Sequence, residues 1–547
     1  MDGEEDLSQY SKEVAKGSFW GLLGQLFFKF ISFFYVILIA RMASQDDIGL
    51  FYLAMGILGM ATVFSHLGFP ASLTRYIPYF EGRKEKGKML HMLKLSYLVS
   101  TVLGIILSIV VWFSADLVGA IYQNALLPEA VRFFSVFILL SNLYNVNLRY
   151  IQGRADIKSM QFIQNVENIS KLLFTFLFFY FYGPSVFALI GGYMASFIFA
   201  TFISFPIVRK QTLDLKSDEG IPQNQLLKEI FPFGIMLTLL SSFSIIIGAS
   251  DKLLLGYLTD PSQAIELVAV YSIATTLATV LLIFPASIGT IFLPVLSRIA
   301  GKNDLSEICK VTETSQRWTM FITIPIAIVL LAFSADMLSV LYGASYRPGA
   351  LAMSIFTIGL LFNTAFTMLS LTLSAMKLVK IQLKISVLVA IVNVLLNIFL
   401  IPYYGMEGAA TASFLSLFLM FLLLCHYSKK FFNFTMPFAI YKMFVAGIIS
   451  FLIVFAIQPT ASSLLGYIPE FEGDGIVTYI PKLIYLSYLG ILVSISMALF
   501  IAFSLLTKCF EKEDIILMKK VLKRAKIPHF IINIAENLAS RGLTTQK

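Results

Sequence analysis

Long apolar stretches separated by short polar interruptions set the plan of this chain. Stretches of about 20 residues, the length that crosses a hydrocarbon core of ~30 Å, lie at roughly 17 to 40, 48 to 70, 90 to 114, 130 to 150, 160 to 182 and 185 to 207. A second set lies at roughly 229 to 250, 266 to 295, 318 to 342, 349 to 375, 384 to 403 and 406 to 427. Two further stretches occupy roughly 437 to 458 and 480 to 507. The pattern predicts an all-α polytopic membrane protein with about 14 transmembrane helices, six in each half and two extra.

The halves are related. Pro128, Ala130, Ile138 and Leu140 return as Pro348, Ala350, Ile358 and Leu360, an offset of 220 residues, and Tyr182-Gly183 returns as Tyr404-Gly405 at 222. Because six helices bring the chain back to its starting side, both halves insert with the same orientation and form a parallel repeat. We therefore expect a six-helix lobe over residues 1–222, a second over 223–430, two additional helices over 431–507 and a cytoplasmic tail over 508–547. In the tail, Ile515, Ile516, Met518, Val521 and Leu522 are interleaved with Lys519, Lys520, Lys523, Arg524 and Lys526, as in an amphipathic helix lying on an anionic leaflet. A solvated tail is the plain alternative. Pro70, Pro285, Pro294, Pro325 and Gly191-Gly192 lie within or at the ends of apolar stretches and mark helices that bend.

Composition agrees with a lipid solvent. Mean hydropathy is +0.82 and 58% of residues are hydrophobic, above the ~45–50% apolar share of a soluble domain. The net charge of +9 does not point to nucleic acid, because the excess lies in loops on one side and in the tail. About 25 Lys and Arg fall in the amino-terminal segment and the loops after even-numbered helices, against five (Arg41, Arg132, Lys252, Arg347, Lys482) opposite. This asymmetry predicts a plasma-membrane protein with both termini cytoplasmic. The acidic start Met1-Asp-Gly-Glu-Glu-Asp lacks the layout of a cleaved signal peptide, so the first helix is expected to be retained. Cys309, Cys425 and Cys509 have neither disulfide nor metal spacing, and no phosphate-binding loop of the ATPase type occurs. No cofactor, metal site or catalytic residue is expected.

Several segments resemble the polysaccharide-transport branch of the multidrug/oligosaccharidyl-lipid/polysaccharide exporter superfamily, the group with the Wzx-type O-antigen flippases. They are Ala40-Arg41-Met42 with Asp47 to Phe51, Leu67-Gly68-Phe69-Pro70 and Arg75-Tyr76; Asp251-Lys252 to Gly256 with Val270-Tyr271; and Asn393 to Asn397 with Ile401-Pro402 to Ala412. The likeness spans roughly residues 14 to 430, with Glu407 where an uncharged residue is common. It implies a flippase rather than an enzyme. Such a protein carries a polyprenyl-diphosphate-linked oligosaccharide to the outer leaflet for surface polysaccharide or glycoprotein assembly, with membrane lipids and glycan-assembly enzymes as partners.

A diphosphate and its sugar cannot cross hydrocarbon without a polar, cationic path, so buried cations are the candidate residues. Lys29 lies about 18 Å into the first apolar stretch at ~1.5 Å per residue, and Lys171 is similarly deep in the fifth. Lys29 has no carboxylate at i±3 or i±4, whereas Glu167 stands four residues before Lys171, so an intrahelical ion pair competes there with substrate contact. Arg75 and Arg149, near the cytoplasmic mouth, are placed to receive a diphosphate or to anchor the inner interface. Asn142 can bind sugar hydroxyls or bridge helices. Asp251 and Lys252 are neighbours near the outer end of the seventh stretch and suit an outer gate, a packing contact or ion coupling. The leading alternative is a drug or metabolite cation antiporter of the same superfamily, which should have a central carboxylate. A membrane glycosyltransferase or polymerase would use acidic outer loops such as Asp46-Asp47 or Glu470, Glu472 and Asp474. A facilitator-type transporter shares the basic Glu81 to Lys88 loop but not the extra helix pair.

Overall fold

The computed structural model describes residues 24–65, 67–213, 215, 223–301, 304–464 and 476–509. The expectations for the amino-terminal 23 residues, the outer cluster of Glu470, Glu472 and Asp474, and the amphipathic tail lie outside these. Among the described residues every regular element is helical: α1 Gly24–Met42, α2 Gln45–Phe64, α3 Phe69–Gly82, α4 Lys86–Tyr122, α5 Leu127–Ser135, α6 Phe137–Gly153, α7 Ile157–Tyr182 and α8 Val186–Thr212. These are followed by α9 Gln223–Leu258, α10 Pro261–Ala278, α11 Ile283–Gly301, α12 Leu305–Ala332, α13 Ser334–Tyr342, α14 Ala350–Ala375, α15 Val379–Phe432, α16 Phe438–Leu464 and α17 Ile476–Leu506. Ten of the described helices are long and apolar enough to cross a membrane. The chain is a multi-pass membrane protein.

The described part of each apolar stretch falls mainly on helix, but several are broken. The fourth divides into α5 and α6 at Val136, and the ninth into α12 and α13 at Phe333. Between α10 and α11 lies a 3-10 turn, Thr279–Leu282. Pro285 follows at once and has no N–H to give the Leu281 carbonyl, which favours the tighter turn there. The second stretch ends at Phe64, and the chain passes through Leu67 (φ 42°) and Gly68 (φ 74°) before Pro70 opens α3.

Contacts divide the chain into two compact units, Met1–Leu277 with Lys380–Ser416 and Ala278–Val379 with Leu417–Lys547. In the first, Leu73, Ile77 and Phe80 of α3 pack with Met92 of α4, Tyr150 and Ile151 of α6 and Ile163 of α7. Asp47 of α2 accepts the Val186 N–H at 2.8 Å and so ties down the start of α8. A side chain at Gly256 of α9 would stand 2.8 Å from Leu53 Cδ2, so glycine lets α9 lie close along α2. In the second unit, Ala332 and Phe333 pack with Val454 of α16 and Leu492 of α17. Thr312 of α12 and Thr372 of α14 share a hydrogen bond of 2.9 Å.

The repeat is visible in the backbone. α15 is interrupted at Gly405 (φ 53°, ψ −127°), and the following Gly408 lies against the Leu400 carbonyl, so the run is a helical hairpin. Gly183 (φ 78°, ψ 159°) turns α7 into α8 in the same way, 222 residues earlier. Ala155 (φ 57°) and Lys377 (φ 62°) have the same separation. Each N–H bonds a carbonyl three residues back (Gln152, Ser374; both 3.0 Å), and the next N–H reaches five back (Ile151, Leu373). This is one helix-ending motif used twice.

Candidate functional site

Two of the three sets of segments that carried the family resemblance come together at one carboxylate. Asp251 of α9 is only 3% exposed. Its Oδ2 accepts from the Tyr271 hydroxyl of α10 at 2.8 Å and from the Ser413 hydroxyl, and its Oδ1 accepts from Asn397 Nδ2 at 2.8 Å. Asn397 also approaches Asn393 Oδ1 at 3.3 Å, and Ser250 donates to that oxygen at 2.8 Å. Asn397 and Ser413 stand on either side of the Gly405 break, so the carboxylate pins both arms of the hairpin. Lys252 does not pair with its neighbour. Its half-buried ammonium lies 4.6 Å from the centre of the Tyr52 ring of α2.

A second polar node lies at the repeat-equivalent place, since Lys171 and Thr175 become Asn393 and Asn397 at the same 222-residue offset. Lys171 and Glu167 are 9% and 5% exposed and bond each other at 3.1 Å. The ammonium also faces the rings of Tyr35, 5.4 Å, and Tyr193, 5.2 Å. This ion pair is buried between aromatic rings. One turn nearer the start of α7, Asn168 donates to the Phe28 carbonyl of α1 and accepts from Ser32, both at 3.3 Å.

Lys29 differs. It is exposed, and among the described residues its ammonium has no hydrogen bond or ion pair. It shares a helical stripe with Val36 and Ala40, at i+7 and i+11, which are both buried. The apolar stripe of Leu26, Phe30 and Phe34, all exposed, lies on another face of α1. Lys29 therefore stands on a side of α1 that is closed by packing further out and open at its own level.

The remaining candidates are dispersed. Arg75 of α3 is exposed and lies 5.5 Å from the Tyr76 ring, and Arg149 of α6 is exposed and donates to Gln152 Oε1 at 2.9 Å. Asn142 is 1% exposed and is a helix staple. It accepts from the Ser65 hydroxyl at 2.7 Å and donates to the Ser65 and Ser100 carbonyls at 3.1 and 2.9 Å. Among the described residues no group of three or more His, Cys, Asp or Glu is placed to hold a metal ion.

Sequence reasoning did not single out Ser413, Tyr35, Tyr193, Asn165 or Asn168. A signal existed for the α7 residues, because Gln161, Asn165, Asn168, Lys171 and Thr175 recur at steps of four and three, a polar stripe on an otherwise apolar helix. Ser413 and the two tyrosines carry no local mark.

The chain matches the polysaccharide biosynthesis protein family over residues 14–300 and the MatE family over residues 232–399. It is 24% identical over 430 residues to an uncharacterized membrane protein of Methanocaldococcus jannaschii, covering 76% of this chain and 83% of that one. It is also 24% identical over 302 residues to the capsular polysaccharide biosynthesis protein CapF of Staphylococcus aureus, covering 54% of this chain and 74% of that one. Among solved structures, the lipid II flippase MurJ in its inward closed conformation has the same fold. Its TM-score is 0.67 at 17% identity, over 88% of this chain and 97% of that one.

Proposed function

We propose that this chain, which belongs to the polysaccharide biosynthesis protein family, is a flippase. It carries a polyprenyl-diphosphate-linked oligosaccharide from the inner to the outer leaflet of the plasma membrane, by alternating access of two parallel six-helix lobes, 1–222 and 223–430. The chain crosses the bilayer fourteen times with both termini cytoplasmic. Membrane lipids surround it, and glycan-assembly enzymes supply and consume its cargo. It acts as a transporter, not an enzyme. The lipid II flippase activity of MurJ, whose fold it shares, and the capsular polysaccharide biosynthesis role of CapF support this reading.

The observation that carries it is the contrast among the intramembrane cations. Lys171 is neutralised by Glu167, Lys252 rests on a ring, and Lys29 is exposed with no ion pair among the described residues. A lysine at helix centre costs roughly 2.5–3.5 kcal/mol to insert, and an anionic headgroup offsets that cost where no protein carboxylate does. The cation-antiporter reading would use Asp251, but its oxygens are already taken by Tyr271, Asn397 and Ser413.

Replacing Lys29 tests the assignment. Lys29→Ala should give an inserted, folded protein whose flipping is about ten- to a hundred-fold slower, the effect of losing ~1.5–3 kcal/mol of charged hydrogen bonding. Lys29→Arg should keep much of the activity. Full complementation of glycan export by Lys29→Ala at normal expression would overturn the cationic site.

A further inference from the structure

Four helix corners of the first compact unit lie at one end of it. Asp47, the third residue of α2, accepts the N–H of Val186, the first residue of α8. Gly49 of α2 lies against the Ile265 carbonyl of α10, and each is the fifth residue of its helix. Asp251 and Asn397, which bond each other, stand seven residues before the end of α9 at Leu258 and eight before the break at Gly405. The α1–α2, α7–α8, α9–α10 and Gly405 corners are therefore level. This end carries tyrosines that the protein leaves bare: Tyr182 and Tyr403 are 77% and 83% exposed, and Tyr257 and Tyr404 are also exposed.

The exposed face that leads to two of these corners is apolar and is written twice. Ile169, Leu173 and Phe176 of α7 return as Ile391, Leu395 and Ile398 of α15, all exposed and all at the 222-residue offset. Steps of four and three keep each set on one side of its helix. At the far end of the same helices stand Lys158 and Lys380, also exposed and also 222 residues apart. From Lys158 to Tyr182, and from Lys380 to Tyr404, is 24 residues, about 36 Å of helix at ~1.5 Å per residue. That span exceeds a hydrocarbon core of ~30 Å and falls short of the ~40–45 Å of a bilayer with its headgroups. An ammonium and a phenol at its two ends both reach headgroup layers.

We propose that Tyr182, Tyr257, Tyr403 and Tyr404 form a rim that binds phospholipid headgroups in the leaflet opposite Lys158 and Lys380, and that this rim fixes the depth of the α7–α8 and α15 hairpins. A tyrosine ring set against acyl chains with its hydroxyl among phosphates and esters satisfies both parts of the side chain. The repeated apolar stripe selects lipid over a docked protein, because it continues from each corner to hydrocarbon depth with no change of face. The rim also places the Asp251 clamp. Asn397 is seven residues from Tyr404, so the carboxylate it holds lies about 10 Å below the headgroups.

Tryptophan depth in the bilayer tests the rim, with the purified full-length protein in phosphatidylcholine–phosphatidylglycerol nanodiscs. The emission of each added indole is taken as the difference from the unsubstituted protein, which has Trp20, Trp112 and Trp318. Tyr182→Trp and Tyr404→Trp should lose most emission to phospholipid carrying a nitroxide on its headgroup. Leu395→Trp, nine residues from Tyr404 on the apolar stripe and about 13 Å deeper, should lose most to phospholipid brominated at mid-chain. Tyr403→Trp serves as the second variant should Tyr404→Trp not insert. Quenching of the corner tryptophans by aqueous iodide and by neither lipid probe would put the corners clear of the bilayer, open to a protein partner, and would overturn the rim. Strongest quenching of the corners by the mid-chain bromines would sink them in hydrocarbon and overturn it equally.

Discussion

At the scale of single residues, two lysines of similar depth have different surroundings, and the difference predicts different failures. Lys171 and Glu167 neutralise each other inside a ring-walled node. Lys171→Ala should destabilise the protein by about 3–5 kcal/mol, because it strands a buried carboxylate. The double change Lys171→Ala with Glu167→Ala should recover much of that loss. Thermal unfolding in detergent checks this, and equal melting of the single and double variants would show that the pair contributes nothing. The pair was legible in the sequence, since four-residue spacing in the Glu-before-Lys order places both groups on one helix face. Its enclosure was not, because Tyr35 comes from a helix more than a hundred residues earlier. Asn142 illustrates the same limit. Its sequence neighbourhood allows a sugar ligand or a helix bridge, and its bonds to Ser65 and Ser100 could not be read from that neighbourhood. Asp251 was recognised as a marker, yet its role as a clamp depends on Asn397 and Ser413 meeting it across a hairpin.

At the scale of elements, hydropathy located the helices and missed most of their internal breaks, because a change of backbone path inside an apolar run leaves the composition unchanged. The turns were better marked. Tyr182-Gly183 and Tyr404-Gly405 were read as a repeat, and the two glycines are the corners of two hairpins with positive φ. Nothing lies within 4 Å of a side chain built at either glycine. The cost of Gly405→Ala is then conformational alone, about 1–3 kcal/mol for an L residue held in a glycine-only region. The turns at Ala155 and Lys377 predict the opposite sign. Ala155 already occupies the left-handed region (φ 57°), so Ala155→Gly should leave stability unchanged or raise it by up to about 1 kcal/mol. Melting temperatures of the two variants check the pair of signs. A stabilising Gly405→Ala would contradict the corner geometry, and a strongly destabilising Ala155→Gly would show that the methyl group makes a packing contact.

At the scale of the whole molecule, the question is what drives the proposed flippase cycle of a diphosphate-linked cargo, since the sequence has no nucleotide-binding loop of the ATPase type. The membrane potential supplies a candidate force. Moving one elementary charge across 100 mV is worth ~2.3 kcal/mol, and an inside-negative potential pushes an anionic headgroup outward. The sign of the net moving charge depends on what accompanies the diphosphate. Lys29 is attached to α1, so its charge shifts only as far as the helix does, whereas the headgroup crosses the full thickness. Net negative charge therefore moves outward unless a cation is carried with it. Flipping reconstituted in vesicles should accelerate when an inside-negative potential is imposed and slow when it is reversed. Flipping that ignores the potential would show that the substrate's charge is compensated during the cycle.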